Sequence, residues 1–113
     1  KDLNYYLDNP IVYKHNNYGY RTPYNFKKGD VVDIYLGCSF TVGVGQPLDD
    51  TWSFLLHNKL NKHEKHHTNF VNLAQGGEGI ENQFRQLINW VDFFKVKNIF
   101  HYHPYKYLYP QHP

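Results

Sequence analysis

Methionine is absent from all 113 residues, position 1 included, so the sequence reads as a processed product, a fragment, or part of a longer protein. One cysteine, Cys38, excludes an internal disulfide and leaves the redox compartment open. Apolar runs are short, and none approaches the roughly 20 residues that cross a bilayer. Charge is modest as well, at 19% of residues with a formal net charge of +2. A pI near 8.6 on so mild a balance gives no case for nucleic acid or an anionic membrane as partner. What the chain has in abundance is aromatic residues, 11 Tyr, 8 Phe and 2 Trp, within an apolar fraction of 41%. That is enough for the core of one soluble domain.

Residues 1–30 hold two prolines, many Asn and Tyr, and no sustained period of 2 or 3.6. They predict an irregular arm that wraps a domain without adding a layer. From residue 31 the pattern changes. "VVDIYL" (31–36) predicts a buried strand. Asp49 and Asp50 predict the cap of a helix over about 50–61, in which Trp52, Leu55, Leu56 and Leu60 share a face. "NFVNLA" (69–74) predicts a second strand. Beyond Gly76, Gly77 and Gly79, helical spacing relates Ile80, Phe84, Leu87, Ile88, Val91 and Phe94. "VKNIFHYH" (96–103) predicts a third strand, and "PYKYLYPQHP" a proline-punctuated loop. The β-α-β-α-β order predicts an α/β fold built on a parallel sheet.

In open sheets of this kind ligands bind beyond the carboxyl ends of the strands, where Ser39, the Gly76–Gly79 loop and His101–His103 all fall. "DIYLGCSFTVGVG" (33–45) hands a buried strand to Gly37, Cys38 and Ser39. A glycine-flanked serine there exposes its Oγ and offers its own N–H, and a glycine loop from the next strand supplies a second N–H. Acyl transfer needs that pair, a nucleophile and donors aimed at the developing oxyanion. The same small residues also suit a plain tight βα turn, and spacing alone leaves both readings open.

"LGCSFTVGVGQPLDDTWSFLLHNKLN", followed by "VNLAQGGEGIENQ", resembles the first two blocks of the SGNH (GDSL-like) hydrolase superfamily. It is similar in particular to members with Gly-Cys-Ser-Phe-Thr in place of the commoner Gly-Asp-Ser. "NNYGYRTPYNFKKGD" resembles the lead-in frequent in that group, and the likeness runs from about Asn16 to about Tyr105. It implies a flavodoxin-like three-layer α/β/α sandwich of which the first three strands are present, with residues 31–113 the N-terminal part of the domain. It also implies Ser39 as nucleophile with its own N–H in the oxyanion hole, and Gly77 as a second N–H donor.

The chain departs from that family in two places. Where the third block has an Asn donor, this chain reads "FHYHPY", and His103 is the candidate replacement, since a neutral imidazole donates one N–H. The alternative is that His101 and His103 are partly buried aromatics sharing one strand face. The closing Asp-x-x-His block is absent, so the general base that a serine hydroxyl needs is missing, and a continuation beyond Pro113 is the expectation. Two functions follow: a serine esterase or acyl hydrolase acting on an ester of a carbohydrate, lipid or small molecule, and a non-catalytic relative serving as a structural or glycan-binding component of a larger assembly, a viral one among the options.

Other motifs read more plainly. "HEKHH" (63–67) has the His-Glu-x-x-His form but lies in a polar connection with no apolar helical face, and reads as a solvated loop, not a metal site. "GVGQPL" fails the dinucleotide fingerprint at Leu48, so no cofactor is expected. Cys38 reads as buried and inert. The aromatic and basic tail reads as a surface loop before a single-strand binder or a sugar-stacking segment.

Overall fold

The computed structural model describes residues 3–77 and 79–102. The chain is an α/β protein. Its elements run α1 (Leu3–Asp8), β1 (Val31–Leu36), α2 (Ser39–Val42), a 3-10 turn (Leu48–Asp50), α3 (Trp52–Leu60), β2 (Asn69–Asn72), α4 (Ile80–Trp90) and β3 (Lys95–His101). The three strands form one parallel sheet in the order β2-β1-β3. Among the described residues no helix is long and apolar enough to cross a membrane.

Period-two alternation along β1 sends Val32, Ile34 and Leu36 to one face and Asp33 and Tyr35 to the other. The first face carries the main core, where Val32, Ile34, Leu36, Val71 and Leu73 meet Tyr20, Phe26 and Phe94, flanked by Leu87, Trp90 and Phe93. On the second face the Tyr35 ring stacks on Phe100 at 5.2 Å and meets Phe70 and the α3 residue Trp52. Phe70 in turn packs against Phe54 and His57 of α3. A register shift between Val32 and Asp33 opposes Val96 and Asn98 to consecutive β1 residues and leaves Lys97 as the extra residue. That bulge re-aims the strand, so that Val96 joins the first face while Asn98 and Phe100 serve the second.

Three details differ from the expectations. Residues 1–30 contain the short helix α1, and they bury Tyr20, Arg21, Thr22 and Phe26, so the arm contributes part of the core. Asn16 organises that stretch, since its Oδ1 accepts from the N–H groups of Tyr18 and Tyr20 at 3.0 and 3.1 Å. Helix α3 is capped by Thr51, whose Oγ1 accepts from Phe54 N at 3.4 Å, while Asp49 and Asp50 lie in the preceding 3-10 turn. Its Leu55 is 54% exposed and Ser53 is buried, so the inward face is turned toward Phe54 and His57.

Helix α4 shows the largest rotation. Of the expected stripe of Ile80, Phe84, Leu87, Ile88, Val91 and Phe94, Phe94 is buried and Leu87 packs on the core, whereas Ile80, Phe84, Ile88 and Val91 are exposed, Ile88 to 70%, and Gln83 and Trp90 turn inward instead. Trp90 is held by a hydrogen bond from its Nε1 to the Tyr20 hydroxyl at 3.2 Å, and Tyr20 in turn donates to Gln86. The aromatic residues at 90, 93 and 94 decide the face, because large rings bury more surface than Ile or Val: Trp90 and Phe94 pack edge to face on Phe26, and Phe93 on Phe94.

Candidate functional site

The strand order reverses at β1, so the crevice of this sheet opens between β1 and β3 at their carboxyl ends. Residues 39 and 40 follow β1 there, and Tyr102 follows β3. The Tyr102 N–H donates to Leu36 O at 3.2 Å, and the rings of Phe40 and Tyr102 meet edge on at 6.4 Å.

Ser39 is the first residue of α2 and is half-buried. Gly37 is required two residues before it, because a Cβ at Gly37 would lie 2.0 Å from Thr41 Oγ1. Cys38, buried at 3% exposure, packs beneath the turn. Gly43 ends α2 in the left-handed region at φ 80°, where a Cβ would strike Thr51 Cγ2 at 2.1 Å.

Buried polar groups brace this four-residue helix. Asn72 Nδ2 and Ser53 Oγ both donate to Thr41 O, at 3.1 and 3.2 Å, and Trp52 Nε1 donates to Thr41 Oγ1 at 3.3 Å. From the other side the Arg21 guanidinium donates to Val42 O, Gly43 O and Gln46 O at 2.8, 2.9 and 2.8 Å. Burial pushes the Arg21 pKa down, opposed by the Tyr13 ring lying 4.5 Å from its guanidinium carbon. Tyr13 also donates nothing to chance in the loop: its hydroxyl accepts from Gly45 N at 2.8 Å. The sequence signal for this brace was the Gly-Tyr-Arg lead-in at 19–21, whose role as a clamp could not be read from spacing.

Two depressions meet at this edge. One, of about 360 Å³, is lined by Ser39, Phe40, Gly43, Val44 and Gln46. The other, of about 370 Å³, is lined by Phe40, Gln46, Asp50, Trp52, Leu55 and Tyr102. They share Phe40 and Gln46, so the second depression adjoins the one at Ser39, and the two together are the groove of this edge. A larger hollow of about 900 Å³ lies along the outer side of α3 among Asn58, Lys59, Asn61, Lys62 and His63, but it holds neither a strand end nor a nucleophile.

Gly77 follows β2 at the same carboxyl edge as Ser39, because β1 and β2 are parallel and adjacent. It adopts φ 76° in an exposed turn, which favours glycine, and it is not part of the groove wall. His103 lies outside the described residues. His101 ends β3 and turns toward α4, with its Nε2 2.7 Å from Gln83 Oε1 and its ring against Phe84.

A second polar cluster, passed over in the sequence, surrounds Asp33 within the run "VVDIYL". Asp33 is fully buried, and its carboxylate faces His66 Nε2 at 2.6 Å, Thr68 Oγ1 at 2.8 Å and Asn98 Nδ2 at 3.0 Å. A lone acid inside an apolar strand was the available signal. Asp33 stands three residues before the end of β1, about 10 Å along the strand, which separates this pair from Ser39. His66 belongs to "HEKHH", which forms turns and not a helix, with His63 and His67 exposed. Two histidines on one helical face, the geometry of the zinc signature, do not occur there.

Comparison with protein-family models, with curated proteins and with solved structures found no match.

Proposed function

We propose that the carboxyl edge of this sheet is an acyl-ester hydrolase site with Ser39 as nucleophile. The observation that carries the reading is the braced turn that presents Ser39 at the β1/β3 crevice, at the mouth of a groove. Arg21, Thr41, Ser53 and Asn72 hold that turn from opposite sides. In this reading Ser39 Oγ bonds to the ester carbonyl carbon as its proton passes to a base. The oxyanion lies against the N–H groups of Ser39 and Gly77, with His103 the candidate third donor. The C–O bond breaks, the alcohol leaves with the proton, and water then releases the acid. The flavodoxin-like sandwich and the SGNH resemblance belong to the same proposal, and strand order β2-β1-β3 supports them.

A second reading is a non-catalytic, ligand-binding relative of this fold, a part of a larger assembly. It is favoured by one observation: among the described residues no histidine hydrogen-bonds to Ser39, His66 being held on Asp33 and His101 on Gln83. A fluorophosphonate probe, applied to the full-length protein with any continuation beyond Pro113 that carries the general base, separates the two. Labelling of the protein that disappears in Ser39→Ala, with the fold intact by circular dichroism, supports the hydrolase. Absence of labelling in folded protein leaves the binding module.

A further inference from the structure

Resting on the reading of this edge as the ligand site, we infer that the groove leading away from Ser39 seats a sugar ring, so that the substrate or ligand is a carbohydrate. Three aromatic side chains line it. Tyr102 lies 5.9 Å from Trp52 and 6.4 Å from Phe40, centroid to centroid, and the Phe40 and Tyr102 rings remain 55% and 46% exposed. Half-exposed rings around an open trough offer flat apolar surface to the C–H face of a pyranose. The Asp50 carboxylate and the Gln46 carboxamide stand at the rim, where hydroxyl groups on the ring edge need acceptors and donors.

Two parts of the wall are tied before any ligand arrives, the Trp52 indole and the 45–46 backbone. Trp52 is tied through its N–H to Thr41 and rests on Tyr35. The Gln46 backbone is tied to Arg21, and Gly45 to Tyr13. Little ordering remains to be done on binding, which favours recognition by a few ring contacts. A fatty acyl chain fits the same trough less well. It would lie half in water along an open groove and would set methylenes beside the Asp50 carboxylate, which a sugar hydroxyl satisfies.

Saturation-transfer NMR on the protein tests this with methyl β-D-glucopyranoside, methyl β-D-galactopyranoside and methyl α-D-mannopyranoside, and with hexanoate as the acyl-chain probe. At least one pyranoside is expected to receive saturation on its ring protons. Its affinity is expected to fall about tenfold in Phe40→Ala and in Tyr102→Ala, the worth of one ring contact. Both side chains are about half exposed, so these variants keep the fold, which circular dichroism checks. The signal is expected to persist in Ser39→Ala, because rings and not the hydroxyl hold the sugar. Transfer to hexanoate alone, transfer to no pyranoside, a sugar signal unchanged in both ring variants, or its loss in Ser39→Ala would each overturn the proposal. Sugar binding that persists without fluorophosphonate labelling removes the nucleophile and leaves the sugar groove standing.

Discussion

Arg21 Nη1 lies 2.8 Å from the carbonyl oxygen of Val42, joining the N-terminal arm to the end of the helix that begins at Ser39. Two further carbonyls, of Gly43 and Gln46, complete the contact; Gly43 O also accepts from Gln46 N at 3.0 Å, so the buried cation adds to that bond and replaces water at the Val42 and Gln46 carbonyls. No carboxylate answers Arg21 among its described hydrogen-bond partners, and the carbonyl dipoles with the Tyr13 ring take that place.

Arg21→Met is therefore expected to lower stability by about 2 kcal/mol in urea unfolding, since it removes three charge-assisted bonds and leaves the part-buried Val42 and Gln46 carbonyls without that donor. Arg21→Lys keeps the charge but not the planar fork, and an intermediate loss is expected. Because Gln46 and Val44 line the groove, both variants are also expected to weaken any ligand held there. Equal stability of Arg21→Met and wild type would show that the loop stands without the clamp.

The face of α4 gives the second test. Leu87→Ala is expected to cost about 2 kcal/mol, as a partly buried core contact, while Ile88→Glu changes stability by less than about 0.5 kcal/mol because Ile88 is 70% exposed. Thermal or urea unfolding of the two variants decides it, and a cost at Ile88 equal to that at Leu87 would restore the full stripe expected from spacing.

What the sequence made legible was the order of elements and the parallel sheet, because β-branched runs ending in glycine are local signals. Strand β1 matches its expected span, Val31–Leu36. The face of α3 was not legible, and that of α4 was legible only at Leu87 and Phe94. Apolar spacing counts Ile80 and Ile88 equally with Leu87, and only the rings of Tyr20 and Phe26, far away in sequence, choose Leu87 and Trp90. The arm misled for the same reason: Asn-rich, aperiodic chain gave no sign that Tyr20, Arg21 and Phe26 would be buried. At the site, Ser39 and its glycines were visible in the motif. The brace was not, since Arg21, Ser53 and Asn72 reach the turn across 12 or more residues.

His57 carries the pH dependence that can be assigned. Its ring lies between Phe54 and Phe70, and burial lowers its pKa, an effect that Asp33 opposes and His66 reinforces. The geometry also suits the neutral ring. Thr68 N donates to Asn61 Oδ1 at 2.8 Å, which turns Asn61 Nδ2 toward His57 Nδ1 at 3.2 Å as a donor, so that nitrogen accepts. Above pH 6.5 the ring is neutral in folded and unfolded chains alike and contributes no slope. As the pH falls below 6.5, the unfolded chain binds a proton that folded His57 still refuses, so stability declines toward the lowered folded pKa. Urea unfolding at pH 7.5, 6.5 and 5.5 is expected to give wild type a steeper loss on acidification than His57→Gln, which keeps an acceptor for Asn61 but cannot titrate. Parallel pH profiles for the two proteins would mean that His57 titrates as freely in the fold as in the unfolded chain.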